Sequence, residues 1–299
     1  LRILGCREAA MFGRIMRACA LALISMASLT QGRRVQDSRR QLQSLAEVSG
    51  RLHASKSNFL ESLSRLLLDN SLSAEKKKLK LKYFDARGAA ETARLLFVLG
   101  GEEYEDLRFE IKPGMGSPAF QAAKESGELK MNLNRAPILV TEKGTSIGQS
   151  KAIERFLARR FGLMGKDPTE EALIDSIAEH CRDVRDAQMK KGFSQFARDK
   201  TDEEKAAARS EWFDTEFPAM LAKMEDVVQE TGSPGFAVGS SLSYADVAIF
   251  SLLRDGSEAD KEDVLKAAEK CGALSAIADA VHSHPSVARW LEERPQTMF

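Results

Sequence analysis

A change of rhythm constrains this chain more than any other feature. Between Lys78 and about Leu163, short alternating runs trade places with helical ones, whereas beyond Pro168 only the helical period remains. KLKLKYF (78–84) alternates polar and apolar residues and predicts a strand. Helix signals run from Gly88 to about Leu99, EYEDLRFEI (103–111) predicts a second strand, and a polar helical stretch covers about Pro118 to Ser126. APILVTE and GTSIGQ predict a hairpin that turns at Lys143-Gly144. QSKAIERFLARRFGL is then an amphipathic helix, apolar at 153, 156, 157 and 161. One right-handed crossover followed by a hairpin gives a small mixed sheet with helices on its faces. This first unit spans 78–162, and GLMGKDP (162–168) predicts a linker. From 168 to 299 apolar residues recur at 173, 174, 177, 181 and 184, then from Phe213 to Val228, then in FAVGSSLSYADVAIFSLL, with two or more shorter helices closing the chain. That half is expected to be an all-helical bundle packed on the sheet unit.

The segment before Lys78 reads differently. Residues 1–78 hold 14 Lys+Arg against 6 Asp+Glu, although the whole chain has 44 of each and a formal net charge of zero. From Met11 a short basic region precedes an uncharged apolar run, Ala18 to Leu29, with the small residues SMA at 25–27. That is the pattern of a secretory signal or organelle presequence, and it leaves targeting open. Residues 1–77 are expected to be a partly disordered presequence or linker. NFLESLSRLLLDN within it has helical apolar spacing. A neutral, mildly acidic body gives no basis for nucleic-acid binding. Cys6, Cys19, Cys181 and Cys271, and His53, His180, His282 and His284, show no disulfide or metal spacing.

Two positions are chemically suggestive. Tyr83 ends a strand just before a glycine and a helix, where a phenol either packs or faces a ligand at the mouth of the sheet. Gln149-Ser150 begin a helix, whose free N–H groups and partial positive charge suit a carboxylate; Ser150 as a plain helix cap is the alternative. Ser243-Tyr244-Ala245-Asp246 reads as a capping box with a structural role.

Four blocks, in order and at matching separations, resemble one family. KLKYFDARGAAETARLLF, GQSKAIERFLARRFGL, GFAVGSSLSYADVAIF and HPSVARWLEERPQTMF resemble the sigma-class soluble glutathione transferases, the class that includes hematopoietic prostaglandin D synthase. The similarity covers about Lys78 to Phe299 and is weakest at 111–134. It implies an α/β thioredoxin-like N-terminal domain followed by an all-α C-terminal helical bundle domain. It implies a glutathione transferase that uses glutathione as co-substrate, attacks an electrophile with the glutathione sulfur and needs no metal. It also implies a homodimer located in the cytoplasm, with no membrane association of the folded body. The alternatives are a non-catalytic glutathione- or apolar-ligand-binding protein of the same fold, or a glutathione-dependent isomerase or peroxidase acting on lipid peroxides.

By the same resemblance, Tyr83 is the hydroxyl that donates to the sulfur and favours its thiolate. Gln149 and Ser150 hold the γ-glutamyl end, Pro137 is cis, and Ala136 pairs its backbone with the cysteinyl unit. Lys124 and Arg135, with Lys130, are candidates for the glycine carboxylate, and Asp183, beside Arg182, for a contact to the partner's glutathione. Ala89 stands where the family often has an arginine, which bears on glutathione affinity. No cysteine lies near DARG, so disulfide reductase chemistry at this turn is not expected.

Overall fold

The computed structural model describes residues 77–297 apart from 195, 196 and 198. The candidate targeting segment and the apolar helix signal at 59–68 lie outside the described residues.

Alternation decides the first strand. In β1 (Leu79–Phe84), Leu79 and Leu81 are fully buried while Lys80 and Lys82 reach outward to Glu105 and Glu128. β2 (Tyr104–Phe109) runs parallel to β1, with Tyr83 opposite Arg108. β3 (Ile138–Val140) is antiparallel to β1, and β4 (Ser146–Gly148) is antiparallel to β3. The sheet order is β2-β1-β3-β4, which is the expected crossover plus hairpin. The crossover helix α1 (Glu91–Gly100) buries Leu95, Leu96 and Phe97 against the sheet. α2 (Pro118–Glu125) follows β2, capped by Ser117, whose hydroxyl accepts from the Phe120 N–H at 3.4 Å. α3 (Ser150–Arg160) buries Ile153, Leu157 and Ala158, so its predicted apolar stripe faces the core.

The segment read as a linker is tightly held. Met164 is buried, and the Leu163 carbonyl accepts from the Tyr244 N–H at 2.9 Å. Asp167 then caps α4 (Pro168–Lys191), accepting from the N–H groups of Thr169 and Glu170. α5 (Asp202–Glu211) buries nothing, and a Thr201–Glu204 capping box starts it. A single π-helical turn at Trp212–Glu216 leads into α6 (Phe217–Thr231). α7 (Tyr244–Leu253) is buried along its whole length, and α8 (Lys261–Ala267), α9 (Gly272–His282) and α10 (Pro285–Glu293) complete the bundle around it.

Polar bonds fix the first turn of α7. The Tyr244 hydroxyl donates to Glu154 of α3 at 2.6 Å, and Lys151 shares the same carboxylate at 2.8 Å. A carboxylate this deep is tolerated because it is paired and hydrogen-bonded. Asp246 accepts from the Ser243 N–H and hydroxyl at 2.7 and 2.6 Å and from the Ala237 N–H at 2.7 Å. Burial pushes its carboxyl up, against the hydrogen bonds from Ser243 and Ala237. Cys181 lies inside α4's core face, where burial pushes its thiol up to about 12 and leaves it unreactive. No helix among the described residues is long and apolar enough to cross a membrane.

Candidate functional site

Three strand ends meet at one edge of the sheet. The last β1–β3 pair is Lys82 with Ile138, and the last β3–β4 pair is Ile138 with Gly148. Tyr83, Pro137 and Gln149 therefore stand one residue beyond the same edge, at the carboxyl end of β1. Open α/β sheets bind their ligands at this kind of edge.

The turn after β1 shapes the surroundings of Tyr83. Gly88 has φ +39°, and a Cβ there would sit 2.6 Å from the Tyr83 hydroxyl. Only a glycine permits the ring to lie this close to the turn. One residue on, the Ala89 N–H donates to the Tyr83 hydroxyl at 3.1 Å. That amide occupies a lone pair of the oxygen and leaves the phenolic proton with no acceptor among the described residues. An accepted hydrogen bond polarises the O–H and strengthens what it can donate.

A buried ionic cluster holds the turn from behind. The fully buried Arg94 donates to the Ala86 carbonyl at 2.7 Å, to Glu91 at 3.0 Å and to Asp106 at 3.1 Å. Glu91 also accepts from the Trp290 indole at 2.8 Å and from Arg294 at 3.0 Å, tying α10 and the residues after it to the start of α1. Asp255 joins Arg87 at 3.1 Å and Arg294 at 2.7 Å. Burial alone would raise the Glu91 carboxyl, but the Trp290 hydrogen bond and the charges of Arg94 and Arg294 outweigh it and hold it below the usual carboxylate range. The sequence reading missed this cluster. Its only sequence trace is Glu91 three residues before Arg94, a spacing that exposed helix pairs share.

The other flank of Tyr83 is built from backbone. The Ala136–Pro137 peptide is cis. Asn132, another residue the sequence reading missed, is 4% exposed, and its amide donates to the Pro137 carbonyl at 2.9 Å while accepting from the Gln149 N–H at 3.1 Å. One side chain thus fixes both the cis-proline loop and the entry to α3. Gln149 has φ +69°, a left-handed conformation uncommon outside glycine. No side chain caps α3, so Ser150 and its neighbours present their N–H groups at the sheet edge.

The remaining candidates are less convergent. Lys124 lies on α2 with its ammonium 5.7 Å from the centre of the Phe120 ring. Lys130 and Arg135 are exposed on the loop before Pro137. Asp183 is exposed on α4, 3.3 Å from Arg182, with no described contact to the Tyr83 turn. Among the described residues no three His, Cys, Asp or Glu converge as metal ligands.

Two clefts open beside the turn. One of about 320 Å³ has Gly88, Thr92, Arg185 and Ser251 in its walls. One of about 1020 Å³ shares Arg87, Gln188 and Met189 with it and is walled on the far side by Phe193, Arg209 and residues 294–297. Arg87 and Gly88, on the turn that follows Tyr83, line these clefts.

The site and fold have clear relatives. Residues 187–294 match the family model described as glutathione S-transferase, C-terminal domain. Probable glutathione S-transferase 8 of Caenorhabditis elegans is 32% identical over 225 residues, covering 74% of this chain and 98% of that one. Hematopoietic prostaglandin D synthase of Gallus gallus is 32% identical over 222 residues, with 73% and 97% covered. The crystal structure of monomeric Na-GST-3 from Necator americanus superposes with a TM-score of 0.58 at 32% identity, over 74% of this chain and 100% of that one. The chain belongs to the glutathione S-transferase family, and its sheet half followed by a helical half is that family's thioredoxin-like plus all-helical fold.

Proposed function

We propose that this protein is a glutathione transferase that joins the glutathione sulfur to an electrophile, with Tyr83 as the hydroxyl that stabilises the thiolate. The observation carrying this reading is the Tyr83 hydroxyl itself, which accepts from Ala89 and keeps its own proton free at a sheet edge. A thiol titrates near about 8.5, so only a small fraction is ionised at neutral pH. A hydroxyl that donates to the sulfur favours the anion, which is the nucleophile. Tyr83 acts as a hydrogen-bond donor and forms no bond to carbon.

In this reading the backbone of Ala136, beside the cis Pro137, pairs with the cysteinyl unit of glutathione like an added strand. The uncapped start of α3 at Gln149 and Ser150 receives the γ-glutamyl carboxylate. Lys124, Lys130 and Arg135 are the nearby cations for the glycine carboxylate. The clefts beside Gly88 take the electrophile. Residues 78–162 are the glutathione-binding domain and 168–299 the domain that shapes the electrophile site. The working unit is a homodimer, with Asp183 facing the partner, and the body acts in the cytoplasm.

Tyr83→Phe tests the assignment. With 1-chloro-2,4-dinitrobenzene as electrophile, kcat/KM near neutrality should fall about 10- to 100-fold, the range of one hydrogen bond to a charged group. The pH profile should shift upward, because the thiol loses the bond that favours its anion. An unchanged rate and profile would reject Tyr83 as the donor. Failure of the unsubstituted protein to turn over several activated aryl halides, while still binding glutathione, would favour a ligand-binding role.

A further inference from the structure

The cleft beside Gly88 carries a charge that its walls do not use. Arg87 is matched by Asp255, Arg294 by Glu91 and Asp255, and Arg209 by Asp260 and Asp263. The carboxylates are matched as well: Glu91 by Arg94 and Arg294, and Glu258 by Lys261. Arg185 of α4 is the exception. It is half-buried in the wall of the smaller cleft and makes no hydrogen bond or ion pair to any described residue. Cys181, one turn before it, is a buried neutral thiol that feels its charge only weakly against the dominant burial, and Asp186 beside it makes no ion pair with it. Across the same cleft stand two hydroxyls, Thr92 and Ser251, bonded to each other at 3.2 Å, and the apolar side chains of Leu252 and Val264.

We propose that this cleft selects electrophiles that carry a carboxylate on an apolar body, and that Arg185 is the specificity-determining residue that receives the carboxylate. The proposal rests on the transferase reading above and narrows its electrophile class. A guanidinium presents a planar fork that takes a carboxylate through two parallel N–H bonds. A half-buried cation with no internal partner gains more from such a ligand than an exposed one, because water screens the contact less. The paired arginines around it cannot take this role without abandoning carboxylates already bonded to them. Leu252 and Val264 supply the apolar surface for the rest of the molecule.

The test compares two substrates with the same reacting centre. The full chain is assayed with glutathione against 4-chloro-3-nitrobenzoate and its methyl ester, each kcat/KM divided by the uncatalysed rate with glutathione. The expected result is a normalised preference for the acid that falls at least about tenfold in Arg185→Met, the scale of one charge-assisted hydrogen bond. Equal normalised values for acid and ester in the unsubstituted protein, or an acid-to-ester ratio unmoved by Arg185→Met, would overturn the proposal. If neither compound nor 1-chloro-2,4-dinitrobenzene is turned over, the transferase reading fails. Calorimetric titration of the same acid and ester onto the unsubstituted and Arg185→Met proteins then decides the cleft's preference by the same ratio.

Discussion

The two flanks of Tyr83 are held by different physics. On the side of Pro137 and Gln149, positions are set by backbone conformation, with the one buried amide of Asn132 joining the cis loop to the start of α3. On the side of Gly88, positions are set by charge: Arg94, Glu91, Asp106, Arg294 and Asp255 link the β1 turn to α10 and to the end of α7. A flank made of backbone offers N–H and C=O groups to any ligand with peptide-like edges and carries little information about side-chain chemistry. A flank made of charged side chains fixes the turn and shapes the clefts next to it, so the selective chemistry of this chain should concentrate there.

That contrast can be broken most forcefully at Arg94. Arg94→Met removes a buried cation and leaves Glu91 and Asp106 poorly compensated, so it should cost about 3–5 kcal/mol in urea unfolding. Asn132→Ala acts on the other flank. It strips partners from the Pro137 carbonyl and the Gln149 N–H, and should cost about 1–3 kcal/mol. If the flanks are separable, that variant should also raise KM for glutathione while leaving KM for the electrophile nearly constant, as steady-state kinetics would show. Equal rises in both constants would mean that the flanks act as one unit.

The smallest expected effect is a pH signature. Glu91 has a folded-state pKa below its unfolded value, so its stabilisation is present above about pH 4.3 and is lost as the pH falls through the folded pKa. Glu91→Gln should therefore flatten the acid limb of a Tm-versus-pH curve below about pH 4.3, at a cost of about 1 kcal/mol near neutrality. Parallel acid limbs for the two proteins would remove Glu91 from the account of the turn.

How much of this was legible in the sequence follows from the range of each interaction. The alternation of KLKLKYF and the stripe of α3 are local patterns, and they gave the sheet, its hairpin and the helix behind Gln149. The Tyr83 position was visible as a residue at a strand end. Its hydroxyl's partner was not, because the Ala89 amide reaches it only through the tight turn at Gly88. α5 was missed because it has no apolar stripe, although Thr201 and Glu204 spell a capping box that could have marked it. The ionic cluster was invisible for a different reason. Glu91 and Arg294 are 203 residues apart, and a charged residue on a helix reads as a solvated face until the fold covers it. Asn132 sits in the stretch of weakest family likeness, where only the folded loop shows what its amide joins.

Gly88 has a historical consequence. A methyl group on its α-carbon would overlap the Tyr83 oxygen, so bulk can enter at 88 only after the phenol at 83 has been lost or displaced. Once such bulk is fixed, it would bar the tyrosine from returning. A descendant of this protein that drifts away from thiol chemistry would cross a one-way door at this pair of positions.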